Sequence, residues 1–524
     1  MNNRLYRLMF MISLGLGLSL NSNLSHAASP SLADRVIEQK LPNGLTVLMV
    51  ERHQTPVVSL NMTFRVGGVN EQIGQTGLAH LYEHMAFKGT RTVGTKNYEK
   101  ERPLLEDLFR VGTELEQRQR SIARRGPEKP AGAEERASIE RLQQQFADLQ
   151  EQAGQFVVGN EMALLYQRHG GVGLNASTGK DLTRYMISLP ANRLPLWAAI
   201  ESDRMAHPVL REFYKERGVV MEERRMRNDD SANGLLFETF TSAAYRAHQY
   251  GIPTIGWESD ILSLTPADTE AFFKAHYGPD NATIAIVGDI NPKDVMALLE
   301  RTFGTIPAAP PQPQIVTVEP PQRGERRVEV EFDAEPSVAI GFHKPALGHP
   351  DDYVFDVIDA LLSEGLTSRL YTNLVREKRI AASVNSDGNY PGVRSPNLFV
   401  LNATPLAPHT TTEVETAIYA ELERLKTEPV SAKELEKVLN NLDADLVRAL
   451  RSNGGLASQL ALYQTVADDW RYALKARDKI AAVTPADIQR VAAEYFIKSN
   501  RTVATLVKKS SNQKNTAAHQ EVAR

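Results

Sequence analysis

A run of unlike residues that recurs at one fixed offset leaves a chain few folds. Thr265-Pro266-Ala267-Asp268 recurs as Thr484-Pro485-Ala486-Asp487, Tyr277 answers to Phe496, and Asn281-x-Thr283 answers to Asn500-x-Thr502, all at the same offset. Each copy reads as a capped helix, with Thr as the cap, Pro at the first helical position and Asp in the first turn. A β-rich run follows each, Thr283-Ile284-Ala285-Ile286-Val287 in one and Thr502-Val503-Ala504-Thr505-Leu506-Val507 in the other. The reading is an α+β protein of two similarly built domains, residues 28–304 and 326–509. A Pro-rich linker over 305–325 joins them, and a polar, disordered tail is expected over 510–524.

Only the first half carries His80-x-x-Glu83-His84, within Gly77-Leu78-Ala79-His80-Leu81-Tyr82-Glu83-His84-Met85-Ala86-Phe87. On a helix, residues four apart share a face, so His80 and His84 can present two imidazoles to one point with Glu83 on its flank. Neutral imidazoles are zinc ligands, and a nearby carboxylate can take a proton from water that the metal activates. The order is the inverse of the H-E-x-x-H motif. A chance match is the alternative, and the context argues against it. Gly77 supplies a turn, Leu78, Leu81 and Met85 can pack inward, and Gly89 can end the helix. His169, His207 and His276 have no ligand partner at helical spacing and read as packed or exposed.

Two histidines leave a tetrahedral zinc short of a protein ligand. Downstream, Phe213-Tyr214-Lys215-Glu216-Arg217-Gly218-Val219-Val220-Met221-Glu222-Glu223-Arg224 offers carboxylates. Glu216 and Glu223, seven apart, fall on one helix face. Glu222 competes, but it lies about 100° round the helix from Glu223.

The rest of the chain narrows the setting. Arg4 and Arg7 precede an apolar run from Leu8 to Leu20, and Ser25-His26-Ala27 is a small-x-small site. This reads as a signal peptide over 1–27, cleaved near Ala27/Ala28, with export to the periplasm and no membrane span afterwards. The net charge is −4, which gives no reason to expect nucleic acid as a partner. With no cysteine, disulfides, thiol nucleophiles and Cys-type zinc sites are excluded. Residues 36–64 read as paired strands leading to the motif. Residues 102–156, rich in Glu, Gln, Arg and Leu, read as two helices broken at Gly126 to Gly132, a hairpin inserted in the first domain. Charged helix faces are usually solvated, so the hairpin is expected to be a spacer that a short linker can replace.

Leu78 to Thr90, with the motif at its centre, resembles the zinc-site helix of the pitrilysin/insulysin (insulinase) family of metallopeptidases, which includes mitochondrial processing peptidase and bacterial periplasmic peptidases. The resemblance runs from about Val36 to Val507 apart from the insertion. It implies two homologous mitochondrial-processing-peptidase-like domains, the second non-catalytic, and one zinc per chain. It implies Glu223 as third ligand beside His80 and His84, Glu83 as general base, and Glu216 as the carboxylate that orients a ligand histidine. Gly170-Gly171-Val172-Gly173-Leu174-Asn175-Ala176 resembles the family's glycine turn and edge strand, where Asn175 and Ala176 would pair with substrate backbone. His248 to Trp257 also resembles a family stretch near the site. In Arg376-Glu377-Lys378 the family's substrate-contacting Arg is kept, but its Tyr seven residues later is replaced by Ser383, or by Ala382 if one residue is deleted. The missing Tyr suggests help from a homodimer contact or from a zinc-free homologous subunit. The expectation is an exported zinc endopeptidase acting on peptides or unfolded segments. The alternative is a non-catalytic chaperone or assembly subunit that keeps the fold.

Overall fold

The computed structural model describes residues 32–126 and 128–509. The leader read over 1–27 and the tail read over 510–524 lie outside the described residues. Among the described residues no helix is long and apolar enough to cross a membrane.

Two sheets repeat one design. In the first, six strands run in the order β1-β2-β6-β3-β5-β4: β1 (Ile37–Lys40), β2 (Thr46–Glu51), β3 (Val57–Phe64), β4 (Val172–Thr178), β5 (Thr183–Pro190) and β6 (Ala282–Gly288). In the second the order is β7-β11-β8-β10-β9: β7 (Arg326–Phe332), β8 (Ser337–Lys344), β9 (Ala381–Tyr390), β10 (Asn397–Pro405) and β11 (Arg501–Lys508). Drop β1 and the orders coincide. Each sheet has one parallel pair, β2 with β6 and β7 with β11, and each of those closing strands follows the Thr-Pro-Ala-Asp helix of the repeat. Both repeats make the reciprocal cap, Thr265 with Asp268 and Thr484 with Asp487. The α+β, two-domain fold class is therefore as expected.

The apolar runs say how each sheet is covered. Strand side chains alternate between faces, and a strand buried on both faces reads as uniformly apolar. Val47 and Met49 of β2, with Ile284 and Ile286 of β6, enter the first half's core. Leu48, Val50, Ala285 and Val287 point the other way and meet Leu456, Ala457, Leu460 and Ala461 of the helix Asn453–Ala467, which comes from the second half. The reverse also holds. The helix Ala232–Ala244 leaves the first half, and its Leu236, Phe240 and Ala244 cover Ala339, Val400, Ala504 and Leu506 of the second sheet. Gly341 in β8 makes room for it: a Cβ there would stand 2.4 Å from the Phe240 ring. The two halves thus exchange equivalent helices, and neither core is complete alone.

The insertion is a helical hairpin, Tyr98–Ala123 and Ala133–Gly154, but its base is no solvated spacer. Leu105, Leu108, Val111 and Leu149 form a small core with Val209. Phe146 meets Tyr214 edge-on with ring centroids 4.9 Å apart. Arg211 Nε donates to Glu101 Oε1 at 2.7 Å, with both side chains fully buried. Helical periodicity marked the apolar stripe, but nothing local to the hairpin marked what it would meet. The base thereby braces the helix Phe213–Arg224.

Glu101→Ala leaves the Arg211 guanidinium buried without its carboxylate and should cost about 3–5 kcal/mol of unfolding free energy. Shortening the tip between residues 121 and 137, where no described side chain is buried, should cost less than about 1 kcal/mol. Chemical denaturation of the two variants checks the contrast.

Candidate metal centre

The motif helix, Leu78–Met85, begins on Gly77, whose φ of 90° places it in the left-handed region that glycine tolerates. Gly77 has no side chain to cap the helix. Glu71 does it instead: Oε2 accepts the Gly77 N–H and Oε1 the Ala79 N–H, each at 2.8 Å. A carboxylate at a helix N-terminus also meets the positive end of the helix dipole. Asp260 Oδ2 fastens the approach, accepting from Gly74 N at 3.0 Å and from Thr76 Oγ1 at 2.8 Å. Leu78, Ala79, Leu81 and Met85 enter the first core, and the opposite face leaves His80, Glu83 and His84 lining a cleft of about 890 Å³.

The helix Phe213–Arg224 brings its carboxylates to the same place. Glu223 Oε2 lies 3.2 Å from His84 Nε2 and 3.7 Å from His80 Nε2, and ligand atoms of the three residues lie within 4.8 Å of one another. Ligands about 2.0–2.1 Å from a tetrahedral zinc stand roughly 3.4 Å apart. The donor set, two imidazole nitrogens and one carboxylate oxygen, and this spacing both fit that ion. Glu222 is exposed and turned to Arg225, whose Nε donates to it at 3.0 Å. The structure thus brings Glu223 to the histidines and leaves Glu222 outside.

The surroundings separate the protonation of the two rings. Burial, and then the neighbouring His84, pull His80 down to about 4, so it is neutral. Burial opposes protonation of His84 too, but its bonds to Glu216 and Glu223 outweigh this and raise it to about 9. Glu216 Oε1 meets His84 Nδ1 at 3.1 Å, and its other oxygen pairs with Lys88 at 2.5 Å. Burial raises the Glu216 carboxyl, but the bonds from His84 and Lys88 hold it below its ordinary value. Glu223 is lowered first by its bond to His84, and Arg227 Nη1 pairs with its Oε1 at 2.6 Å. Burial pushes Glu83 up, opposed by the Thr178 hydroxyl, which donates to Oε2 at 2.6 Å.

Thr178 ends β4, the free edge of the first sheet. Asn175 and Ala176 lie on that strand, pair with Met186 and Tyr185 of β5 on one side and line the cleft. Arg376 and Ser383 do not line it: the Arg376 side chain is exposed beside Glu377, and Ser383 is exposed near the start of β9. The second half contributes Pro391 and Tyr390 to the cleft; Tyr390 ends β9, and its hydroxyl lies 3.1 Å from Thr241 Oγ1. At the offset of the repeat, Leu435 and Leu442 stand where Glu216 and Glu223 stand in the first half. His80, His84 and Glu223 are the one grouping among the described residues with metal-ligand geometry. Sequence reasoning missed Glu71, Lys88, Thr178, Arg227 and Tyr390. Arg227 at i+4 from Glu223 had a helical-spacing signal, and the others had none.

Comparison with known proteins places this geometry. A family model described as "Insulinase (Peptidase family M16)" matches residues 46–108 and 155–258, passing over most of the hairpin. A second, described as "Peptidase M16 inactive domain", matches residues 263–442. Zinc protease PqqE of Helicobacter pylori is 29% identical over 475 residues, covering 89% of this chain and 91% of that protein. A crystal structure of a protease from Helicobacter pylori superposes with a TM-score of 0.74 at 28% identity, over 90% of this chain and 99% of that one. The first half of the periplasmic protease PqqL from Escherichia coli, at 18% identity and a TM-score of 0.65, covers 90% of this chain and 92% of its own and shares the fold.

Glu71→Ala removes the acceptor of two buried N–H groups at the start of the motif helix. It should cost at least about 2 kcal/mol of stability, with hydrogen exchange at the Gly77 and Ala79 amides accelerated in proportion. Exchange at those two amides unchanged from wild type would show that Glu71 does not cap the helix.

Proposed function

The chain belongs to the insulinase family of peptidases (M16), and from that premise we propose that it is an exported zinc-dependent endopeptidase hydrolysing peptides or unfolded segments. The observation that carries the reading is His80, His84 and Glu223 facing a cleft beside a free strand edge, with Glu83 next to them. His80, His84 and Glu223 would hold one zinc per chain, and Glu216 would fix the His84 ring through Nδ1. Bound zinc would supply Lewis acidity, easing deprotonation of water near neutral pH and polarising the scissile carbonyl.

The chain's own groups do the rest. An extended peptide adds to the free edge of β4, so that backbone near Asn175 and Ala176 orients it without demanding one side-chain sequence. The Glu83 carboxylate takes the proton from the attacking water and returns it to the leaving amine nitrogen as the C–N bond breaks. The Thr178 hydroxyl holds that carboxylate in place. Two carboxylates within reach of one another, one raised by burial and the other lowered by its histidine, suit a base and a ligand respectively. A non-catalytic chaperone would use the strand edge but has no use for Glu83. Export rests on the apolar leader and on the fold shared with a protease described as periplasmic. A homodimer contact or a zinc-free sister subunit would supply the Tyr phenol that Ser383 lacks.

The purified chain should contain about one zinc. Glu83→Gln should keep the metal and lose peptide hydrolysis by about a hundredfold or more. His80→Ala and Glu223→Ala should lose both metal and activity. Metal analysis with a peptide-digest assay separates the readings: a Glu83→Gln variant of full activity would remove Glu83 as base, and a zinc-loaded wild type without hydrolysis would favour the chaperone.

A further inference from the structure

His248 and its neighbours take no part in the metal centre, yet His248 walls a second cavity of about 570 Å³ where the two halves meet the Pro-rich connection. Arg65 and Asp181 come to it from the first half, Gln312 and Glu319 from the connection, and Arg394 from the second half. His80, His84 and Glu223 do not line it.

Three residues that line this cavity carry buried donor atoms with nothing to donate to among the described residues: His248 Nε2, Gln312 Nε2 and Arg394 Nη1. His248 is 5% exposed. Its Nδ1 accepts the Tyr250 N–H at 3.2 Å, so the proton of the neutral ring is on Nε2, and burial keeps the ring neutral. Gln312 Oε1 meets His276 Nδ1 at 2.7 Å, which leaves its amide nitrogen free. Arg394 lies near a second guanidinium, Arg65; Arg65 pairs directly with Asp468, whereas Arg394 feels Asp181 and Asp468 without a close ion pair to either among the described residues.

The cavity's own carboxylates are already engaged. Asp181 accepts from the Tyr250 hydroxyl at 2.7 Å and from the Val393 and Arg394 N–H groups at 2.6 and 3.1 Å. Glu319 accepts from the N–H groups of Arg246, Ala247 and His248 at 2.8, 2.9 and 3.1 Å. Buried donors without acceptors are costly, and a guanidinium with neutral N–H donors beside it is a set that an oxyanion satisfies.

We propose that this cavity binds a small oxyanion, inorganic phosphate or a carboxylate, held by Arg394, His248 and Gln312. Because those residues belong to the second half, the first half and the connection, the bound anion ties all three together.

The test is calorimetric titration of the full zinc-loaded chain with inorganic phosphate, and separately with acetate, against chloride at matched ionic strength. One saturable oxyanion site per chain is expected, with hydrogen exchange over residues 312–319 slowed on binding. Arg394→Gln should weaken binding at least tenfold and Gln312→Ala at least threefold, with chemical denaturation checking that loss of the Gln312 bond to His276 leaves that variant folded. His80→Ala should leave binding unchanged, which separates this site from phosphate on the metal. Binding of phosphate alone would identify a phosphate site, and binding of both anions a general oxyanion site. No saturable binding of either anion would overturn the proposal. So would binding that Gln312→Ala leaves unchanged, or binding that His80→Ala abolishes.

Discussion

The molecule depends on a simple constraint: each central sheet has two apolar faces, and each half of the chain covers only one of its own. The uncovered faces, Leu48, Val50, Ala285 and Val287 in one half and Ala339, Val400, Ala504 and Leu506 in the other, are closed by helices that cross over. Burial of this kind contributes about 25 cal/mol per Å² of apolar surface. Fully buried side chains at each crossing, Leu48, Leu456 and Trp470 at one and Leu236, Phe240 and Leu398 at the other, make the two halves one cooperative body rather than two beads on a linker.

The same crossing bears on the candidate metal centre. The helix that carries Glu216 and Glu223 ends at Arg224 and passes through a single π-helical turn, Arg225–Asp229, before the exchanged helix begins at Ala232. Such turns recur at functional sites. Arg224 closes the corner, with Nη1 donating to Glu238 Oε2 on the exchanged helix at 3.0 Å and to the Gly256 carbonyl at 2.7 Å. The hairpin braces this helix from the other side through Glu101, Phe146 and Tyr214. Glu223 is thus held by the first core, which Phe213 and Val220 of its helix enter, and by Arg224 at the exchanged helix, whereas the histidines are held by Glu71 and that same core. The site forms where these supports meet, and the free edge of β4 runs past it.

Legibility in the sequence followed how local each determinant was. The constant offset between Thr265 and Thr484 was enough to read two domains of one design, and the spacing of His80, Glu83 and His84 was enough to read a ligand face. The choice between Glu222 and Glu223 was readable as a helical angle, and the structure turns Glu222 to Arg225. The exchanged helices were not readable, because periodicity tells that a face is apolar and not which sheet will cover it. The hairpin misled for the same reason: its charged faces were plain, while its partners Arg211 and Tyr214 lie far on in the chain. Glu71 looked like any loop carboxylate until the backbone brought two N–H groups to it. Arg376, kept in its motif, stands outside the cleft, and Tyr390, unremarkable in sequence, lines it.

His80, His84 and Glu223 are proposed to make a zinc site together. X-ray absorption at the zinc edge of the protein as isolated reads that coordination directly. A zinc held by these three residues gives nitrogen and oxygen ligands only, at about 2.0–2.1 Å, with the outer-shell scattering of two imidazoles. A spectrum showing fewer than two imidazoles, or a protein that takes up no zinc at all, would contradict it.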